Sequence, residues 1–283
     1  MNYNEQLEWL IKNALAEDIG DGDHSTLCSI DKDAKGKAVL KIKQDGILAG
    51  LNVAEKIFMY MQPGIVFNKF KNDGERMMVG ETAFEVVADV HTILQCERLV
   101  LNCMQRMSGI ATLTKKYTEK LEGYKTKLLD TRKTTPNFRL LEKEAVRIGG
   151  AVNHRFGLYD MIMLKDNHID YCGSIEKAIT KAYEYVQKNK PGLKIEVETR
   201  SIADVEKVMA IGKIDRIMLD NFNPAQLRAA LDIIRGKYET EASGGINYDN
   251  IEAYAATGVD YISSGAIIHQ AVSLDLSLKA IIL

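Results

Sequence analysis

Several features are scarce in this chain of 283 residues. It has four cysteines (Cys28, Cys96, Cys103, Cys172), and no two of them form a CxxC pair. That excludes the usual spacing of a structural zinc site and a disulfide framework, and it reads as four reduced, mostly buried thiols in a cytoplasmic protein. With 4 Pro and 21 Gly the chain is no collagen-like or low-complexity polymer. No apolar run reaches the roughly 18 residues of a membrane span. The start, Met1-Asn2-Tyr3-Asn4-Glu5, lacks the basic and then apolar order of a signal peptide. Lys plus Arg is 37 and Asp plus Glu 39, a formal charge of −2, so the basic excess of a nucleic-acid-binding surface is missing. No G-x-G-x-x-G follows an early strand, which speaks against a dinucleotide fold.

What is present is enough apolar residue, 46%, to bury a core in one large domain or two modest ones. Leu7, Leu10, Ile11, Ala14 and Leu15 stand at helical spacing and predict an opening amphipathic helix. Extended pieces follow at Ala38–Ile42, Val66–Phe70 and Ala83–Val87, with a helix near Val53–Met61 stopped by Pro63-Gly64. Their irregular order predicts an α+β domain over residues 1–107. His91–Leu121 reads as helix, broken near Ser108-Gly109. Beyond it, β-type runs alternate with helical stretches: Lys127–Asp130, Met161–Leu164, Lys194–Val197, Arg216–Leu219, Thr240–Ala242 and Asp260–Ile262. Alternation of this kind predicts parallel strands with right-handed crossovers, and six units predict an incomplete α/β barrel over residues 108–269. The remaining tail, from about 270 to 283, is expected to pack on the first domain.

The residues after these strands are the informative ones. They are Asp130-Thr131-Arg132-Lys133, Lys165-Asp166-Asn167-His168, Glu198, Asp220-Asn221, Ser243-Gly244-Gly245 and Ser263-Ser264-Gly265-Ala266. In a parallel barrel all such ends gather on the face where active sites are built. Between Arg132 and Lys165 there are seven Lys or Arg and three acids, a local excess of cations in a chain of −2. Such a bias fits a small polyanion. Each residue also has a plainer reading. Glu142, Lys143 and Glu144 look like exposed helix positions, and Glu198 and Asp220 could be helix N-caps. His154 alone is more often a structural hydrogen-bonder, and Ser243-Gly244-Gly245 could be a tight turn. Glycine loops after the last barrel strands are also common phosphate sites.

At these residues the chain resembles the quinolinate phosphoribosyltransferases. The matching blocks are Glu17–Asp23, Glu97–Asn102, Ser108–Thr112, Asp130–Pro136, Gly149-Gly150, Asn153-His154-Arg155, Leu164–His168, Glu196-Val197-Glu198, Leu219-Asp220-Asn221, Glu241–Ile246 and Ser263–Ala266. They run in family order over nearly the whole chain. Asn137 departs from the pattern, since many members carry Gly there.

The resemblance implies an α/β protein with an N-terminal α+β sandwich domain and a partial parallel α/β barrel. It implies an enzyme that joins quinolinate to the phosphoribose of phosphoribosyl pyrophosphate, with magnesium, releasing pyrophosphate and carbon dioxide. Arg98, Thr131, Arg132, Lys133, His154, Arg155 and Lys165 would bind substrate, quinolinate above all. Lys133, Glu198 and Asp220 would be the catalytic residues. Glu198 and Asp220 would face the ribose and the magnesium ion, reaching the ion through pyrophosphate or water. Ser243, Gly244, Gly245, Ser264, Gly265 and Ala266 would hold the 5′-phosphate. The family implies a homodimer in which Arg98 completes the neighbour's site. Rival readings are a nicotinate phosphoribosyltransferase without decarboxylation, a barrel lyase forming a Schiff base through Lys165, and a non-enzymatic anion binder. The surplus of cations favours a diacid over nicotinate.

Overall fold

Asn2 starts the first helix, α1 (Tyr3–Ile19): its side chain accepts from the Glu5 N–H, and Glu5 accepts from the Asn2 N–H in return. Gly20, at φ 58°, ends that helix. The structure, a computed structural model, describes residues 2–281. The next elements are α2 (His24–Ser29), β1 (Lys35–Ile42), β2 (Gly46–Ile47), α3 (Leu51–Met61), β3 (Val66–Lys69), β4 (Arg76–Met77), β5 (Thr82–Asp89) and α4 (Val90–Lys120). Then come β6 (Lys127–Leu129), α5 (Arg139–Ile148), β7 (Ile162–Leu164), α6 (Asp166–Cys172), α7 (Ile175–Asn189), β8 (Ile195–Thr199), α8 (Ile202–Ile211) and β9 (Arg216–Asp220). The chain closes with α9 (Pro224–Ile234), β10 (Glu239–Ser243), α10 (Ile251–Ala255), β11 (Tyr261–Ser263), α11 (Ala266–His269) and β12 (Leu276–Ile281).

Two compact units result. The first takes the residues up to Lys115, Thr134–Gly150 and the stretch from Ile267 on; the second takes Lys116–Lys133 and Ala151–Ala266. In the first, an antiparallel sheet has the order β12-β1-β5-β3, and the tail strand β12 pairs with β1 along its length. Phe58, Phe67 and Phe84 pack together beside it, the last two stacked at 4.5 Å. Helix α4 runs unbroken through Ser108-Gly109, contrary to the sequence expectation. Gly109 is there for closeness, because a Cβ would collide with the Val272 carbonyl. Helix α5 belongs to this unit, and Glu142 and Lys143 are buried and Glu144 half-buried, correcting the exposed reading of all three, while Arg147 is exposed. Glu142 is fully buried and takes two hydrogen bonds from Arg106, at 2.9 and 2.8 Å, as well as the Thr135 N–H.

In the second unit six parallel strands follow the order β6-β11-β10-β9-β8-β7, an incomplete α/β barrel. Strand β8 reads Ile-Glu-Val-Glu-Thr and is buried throughout. The pleat sends Ile195 and Val197 to one face and Glu196 and Glu198 to the other. Strands β9 and β10 alternate likewise, with Ile217 and Leu219 opposing Arg216 and Asp220, and Ala242 opposing Glu241 and Ser243. The charged residues of these three strands thus share one face, together with Met218 and, from β7, Met163. All four cysteines are free, but only Cys96 and Cys103 are buried; Cys28 is exposed and Cys172 half-buried, a departure from four mostly buried thiols.

Candidate active site

Register makes the rim. Asp220 pairs with Ser243, Glu198 with Met218, and Ser263 with Leu129, so the C-terminal ends of the strands stand side by side. Lys165, directly after β7, sits with its Nζ 3.8 Å from the Glu198 carboxylate. Burial raises the Glu198 pKa above the usual carboxylate range, and the Asp220 charge adds to the shift. Asp220 is raised by burial as well, with Lys165 opposing. Asn223 caps α9, so Asp220 does not cap the helix that follows it. Ser201 caps α8, and the Glu198 carboxylate instead accepts the Asp166 N–H at the start of α6, at 3.4 Å. Asp220 accepts from the Asn221 side-chain amide at 2.6 Å. Both carboxylates keep lone pairs that can serve a ligand at the mouth.

Asp130, at the end of β6, is fully buried and holds the segment that carries His154 and Arg155. It accepts the His154 N–H at 2.8 Å and the Asn153 side-chain amide at 2.7 Å. Arg155 is half-buried and donates to the Met161 carbonyl at 3.1 Å. Its pKa is lowered, first by burial and then by the Arg132 charge. Two guanidiniums that disfavour each other have been brought to one place. Thr131 and Arg132 are half-buried in the same turn, where the Thr131 hydroxyl accepts the Lys133 N–H at 3.1 Å, and Lys133 is exposed.

Along the same rim, after β10, Gly244 and Gly245 both have left-handed φ, 94° and 63°. A side chain at Gly244 would also collide with Asn221, so this turn needs that glycine whatever it binds. The Ser264 hydroxyl is buried and donates to the Ile246 carbonyl at 2.9 Å, joining the last two loops. Gly265 is half-buried and Ala266 buried at the start of α11. Arg98 belongs to the first unit, exposed on α4 and without an acidic partner among the described residues.

The His154 side chain points away from open solvent. Its Nε2 lies 3.1 Å from a carboxylate oxygen of Glu196 and 3.1 Å from one of Glu241, both fully buried. Burial works against a charged imidazole here, while the two glutamates raise its pKa to about 9. Burial and the Glu241 charge push Glu196 up to about 7. Arg216 donates to Glu241 at 3.1 Å and to Glu239 at 3.0 Å, and its guanidinium lies 4.2 Å over the Tyr261 ring. His154, Glu196 and Glu241 are the one set of metal-type donors within 4.8 Å of one another among the described residues. Arg216 already supplies the positive charge there, which makes the set an ion-paired core. Sequence reasoning quoted Asp130, Glu196 and Glu241 but gave them no role, and passed over Arg216. The available signal was a charged residue at alternate positions of a strand otherwise apolar.

Comparison with known proteins was made on this basis. The chain matches the family description "Quinolinate phosphoribosyl transferase, C-terminal domain" over residues 110–279 and the corresponding N-terminal domain over residues 23–108. It is 42% identical to a quinolinate phosphoribosyltransferase [decarboxylating] 1b of Nicotiana tabacum, across 96% of this chain and 82% of that one. It is 40% identical to a probable nicotinate-nucleotide pyrophosphorylase [carboxylating] of Synechocystis, across 96% and 92%. Among solved structures, the nicotinate-nucleotide pyrophosphorylase of Francisella tularensis superposes with a TM-score of 0.90 at 38% identity, covering 98% of this chain and 97% of that one.

Proposed function

This chain belongs to the quinolinate phosphoribosyltransferase family, and from that premise we propose how its residues divide the reaction. It is a pentosyltransferase of NAD biosynthesis: it transfers phosphoribose from phosphoribosyl pyrophosphate to quinolinate with decarboxylation, giving nicotinate mononucleotide, pyrophosphate and carbon dioxide. The nicotinate phosphoribosyltransferase reading is not favoured. Nor is the Schiff-base reading of Lys165: that chemistry wants an amine in apolar surroundings, and Lys165 stands beside carboxylates.

The observation that supports the assignment best is the Arg132–Arg155 pair. The Arg132 charge disfavours that of Arg155, and a ligand with two adjacent carboxylates is the partner that would relieve it. Lys165 and Lys133 add charge on the same side, Thr131 shapes the turn, and His154 stands beneath Arg155. Arg98 is the pocket's contribution from a second subunit of a homodimer, where it would help close the site against water. Ser243, Gly244 and Gly245, with Ser264, Gly265 and Ala266, would receive the 5′-phosphate, chiefly through main-chain N–H groups, because the Ser264 hydroxyl is already engaged.

Glu198 and Asp220 fit a magnesium ion bound through pyrophosphate or water. Both are carboxylates whose charge is disfavoured by burial, with Lys165 the nearby cation, so an added cation would be welcome. Magnesium would neutralise pyrophosphate as it leaves. The two acids would stabilise positive charge growing on the ribose, the quinolinate nitrogen would attack the anomeric carbon, and the resulting pyridinium would accept the electrons released with carbon dioxide. Holding the reactants in line and excluding water is the protein's contribution. The free thiols fit a reducing, cytoplasmic setting. No helix among the described residues is long and apolar enough to cross a membrane.

The test is one assay run with quinolinate and with nicotinate, following carbon dioxide and mononucleotide. Quinolinate should give both products together and nicotinate should turn over poorly. Equal turnover of nicotinate would refute the diacid pocket.

A further inference from the structure

His154 carries an arrangement that the reaction as divided above leaves unused. Its ring has a separate partner at each nitrogen. The Arg155 backbone N–H lies 2.6 Å from Nδ1, and Nε2 faces the Glu196 and Glu241 carboxylates at 3.1 Å each. A backbone N–H keeps its hydrogen, so at that distance Nδ1 must present its lone pair. A proton on Nδ1 would set two hydrogens head to head. The carboxylates hold the other proton on Nε2. Their charges also favour an imidazolium, but the second proton would have to enter at Nδ1, where the Arg155 N–H stands.

We propose that His154 is a neutral positioning residue, locked as the Nε2–H tautomer by Glu196 and Glu241, whose Nδ1 sets the main chain of Arg155. It is not one of the cations that neutralise the diacid. The surroundings agree. Asp130 takes the His154 N–H from the other side, so residues 154 and 155 are held at successive backbone groups. Arg216 supplies a charge that balances Glu241. A neutral ring also avoids a third positive charge beside Arg132 and Arg155. The kinetic consequence rests on the reading of Arg155 as a quinolinate ligand; the tautomer does not.

Nitrogen-15 NMR of the histidine-labelled, ligand-free full chain at neutral pH reads the tautomer directly, with His154→Asn used to assign the signal. One pyrrole-type and one pyridine-type nitrogen are expected for His154; two protonated nitrogens would overturn the proposal. Kinetics supply the second arm. His154→Ala removes the acceptor and should raise the quinolinate KM by up to roughly tenfold, the worth of one hydrogen bond, leaving the KM for phosphoribosyl pyrophosphate unchanged. His154→Asn can place its Oδ1 where Nδ1 stood and should restore the quinolinate KM without any charge. His154→Asn as impaired as His154→Ala, beside a His154→Lys that is active, would overturn it too. The NMR result is independent of what Arg155 binds, so failure here is distinguishable from failure of the quinolinate pocket.

Discussion

Replacing Arg155 by alanine should separate ligand binding from stability. In the free protein the side chain donates to the Met161 carbonyl at 3.1 Å, and losing a charged donor of that kind costs about 1.5–3 kcal/mol. Against this, removal relieves the burial of a charge and its repulsion by Arg132. Two unit charges 6–10 Å apart at an effective dielectric near 20 repel by about 1.5–3 kcal/mol before screening by salt. The two effects nearly offset each other, so the free energy of unfolding in urea should stay within about 1 kcal/mol of wild type. Quinolinate binding has no such compensation. Loss of one charge-assisted contact to a carboxylate should weaken it roughly ten- to hundredfold in a calorimetric titration. Phosphoribosyl pyrophosphate should bind as before. Wild-type quinolinate affinity in a folded Arg155→Ala would refute the assignment, since an arginine held beside another arginine would then have no ligand to explain it.

Four further outcomes can be checked. Glu142→Ala removes the acid partner of Arg106, which keeps its bonds to the Ala271 and Ile268 carbonyls, and should lower unfolding free energy by about 1.5–3 kcal/mol; a change under about 0.5 kcal/mol in urea denaturation would show that the carbonyls suffice. Glu198→Gln and Asp220→Asn should cut turnover while leaving quinolinate binding nearly intact, and a collapse of quinolinate binding in calorimetry would count against their place on the ribose side. Both acids have folded pKa values above their unfolded ones, so the folded state holds extra protons just above the ordinary carboxylate range and this contribution to stability is lost as pH rises through the raised values. Wild type should therefore lose more stability than Glu198→Gln across that window, and parallel pH curves would refute the shift. Finally, mixing inactive Arg98→Ala with inactive Lys165→Ala should restore activity, because a mixed dimer with shared sites has one pocket free of both changes; background activity after demonstrated subunit exchange would exclude sharing.

Much of the barrel was legible because its signals are local. Each β-type run after Lys127 became a strand, and the residues following the strands lie along one rim, since parallel strands put all their C-terminal ends on the same side. The errors came where packing overrode a local rule. Gly109 reads as a helix break, yet α4 passes through it because Val272 needs the space. Glu142 and Lys143 read as solvated because nothing local shows that Arg106, 36 residues before Glu142, reaches it. The cap reading of Asp220 failed because Asn223, slightly further along, does the capping, and Glu198 reaches the first N–H of α6, earlier in the chain, and not the helix that follows it.

The sequence by itself determined the alternation of elements, the order of the chemistry-bearing residues and the family to which they belong, all of which depend on spacing along the chain. Only the tertiary structure decided what each charge faces. Glu196, Arg216 and Glu241 look like ordinary polar residues in sequence, but strand register turns them to one face, where Arg216 pairs with Glu241 and both glutamates face His154. His154 looks like one more cation, and only the atoms at its two nitrogens show otherwise. A charge buried at low dielectric is governed by the few groups within hydrogen-bonding distance, and those come from strands far apart in the chain.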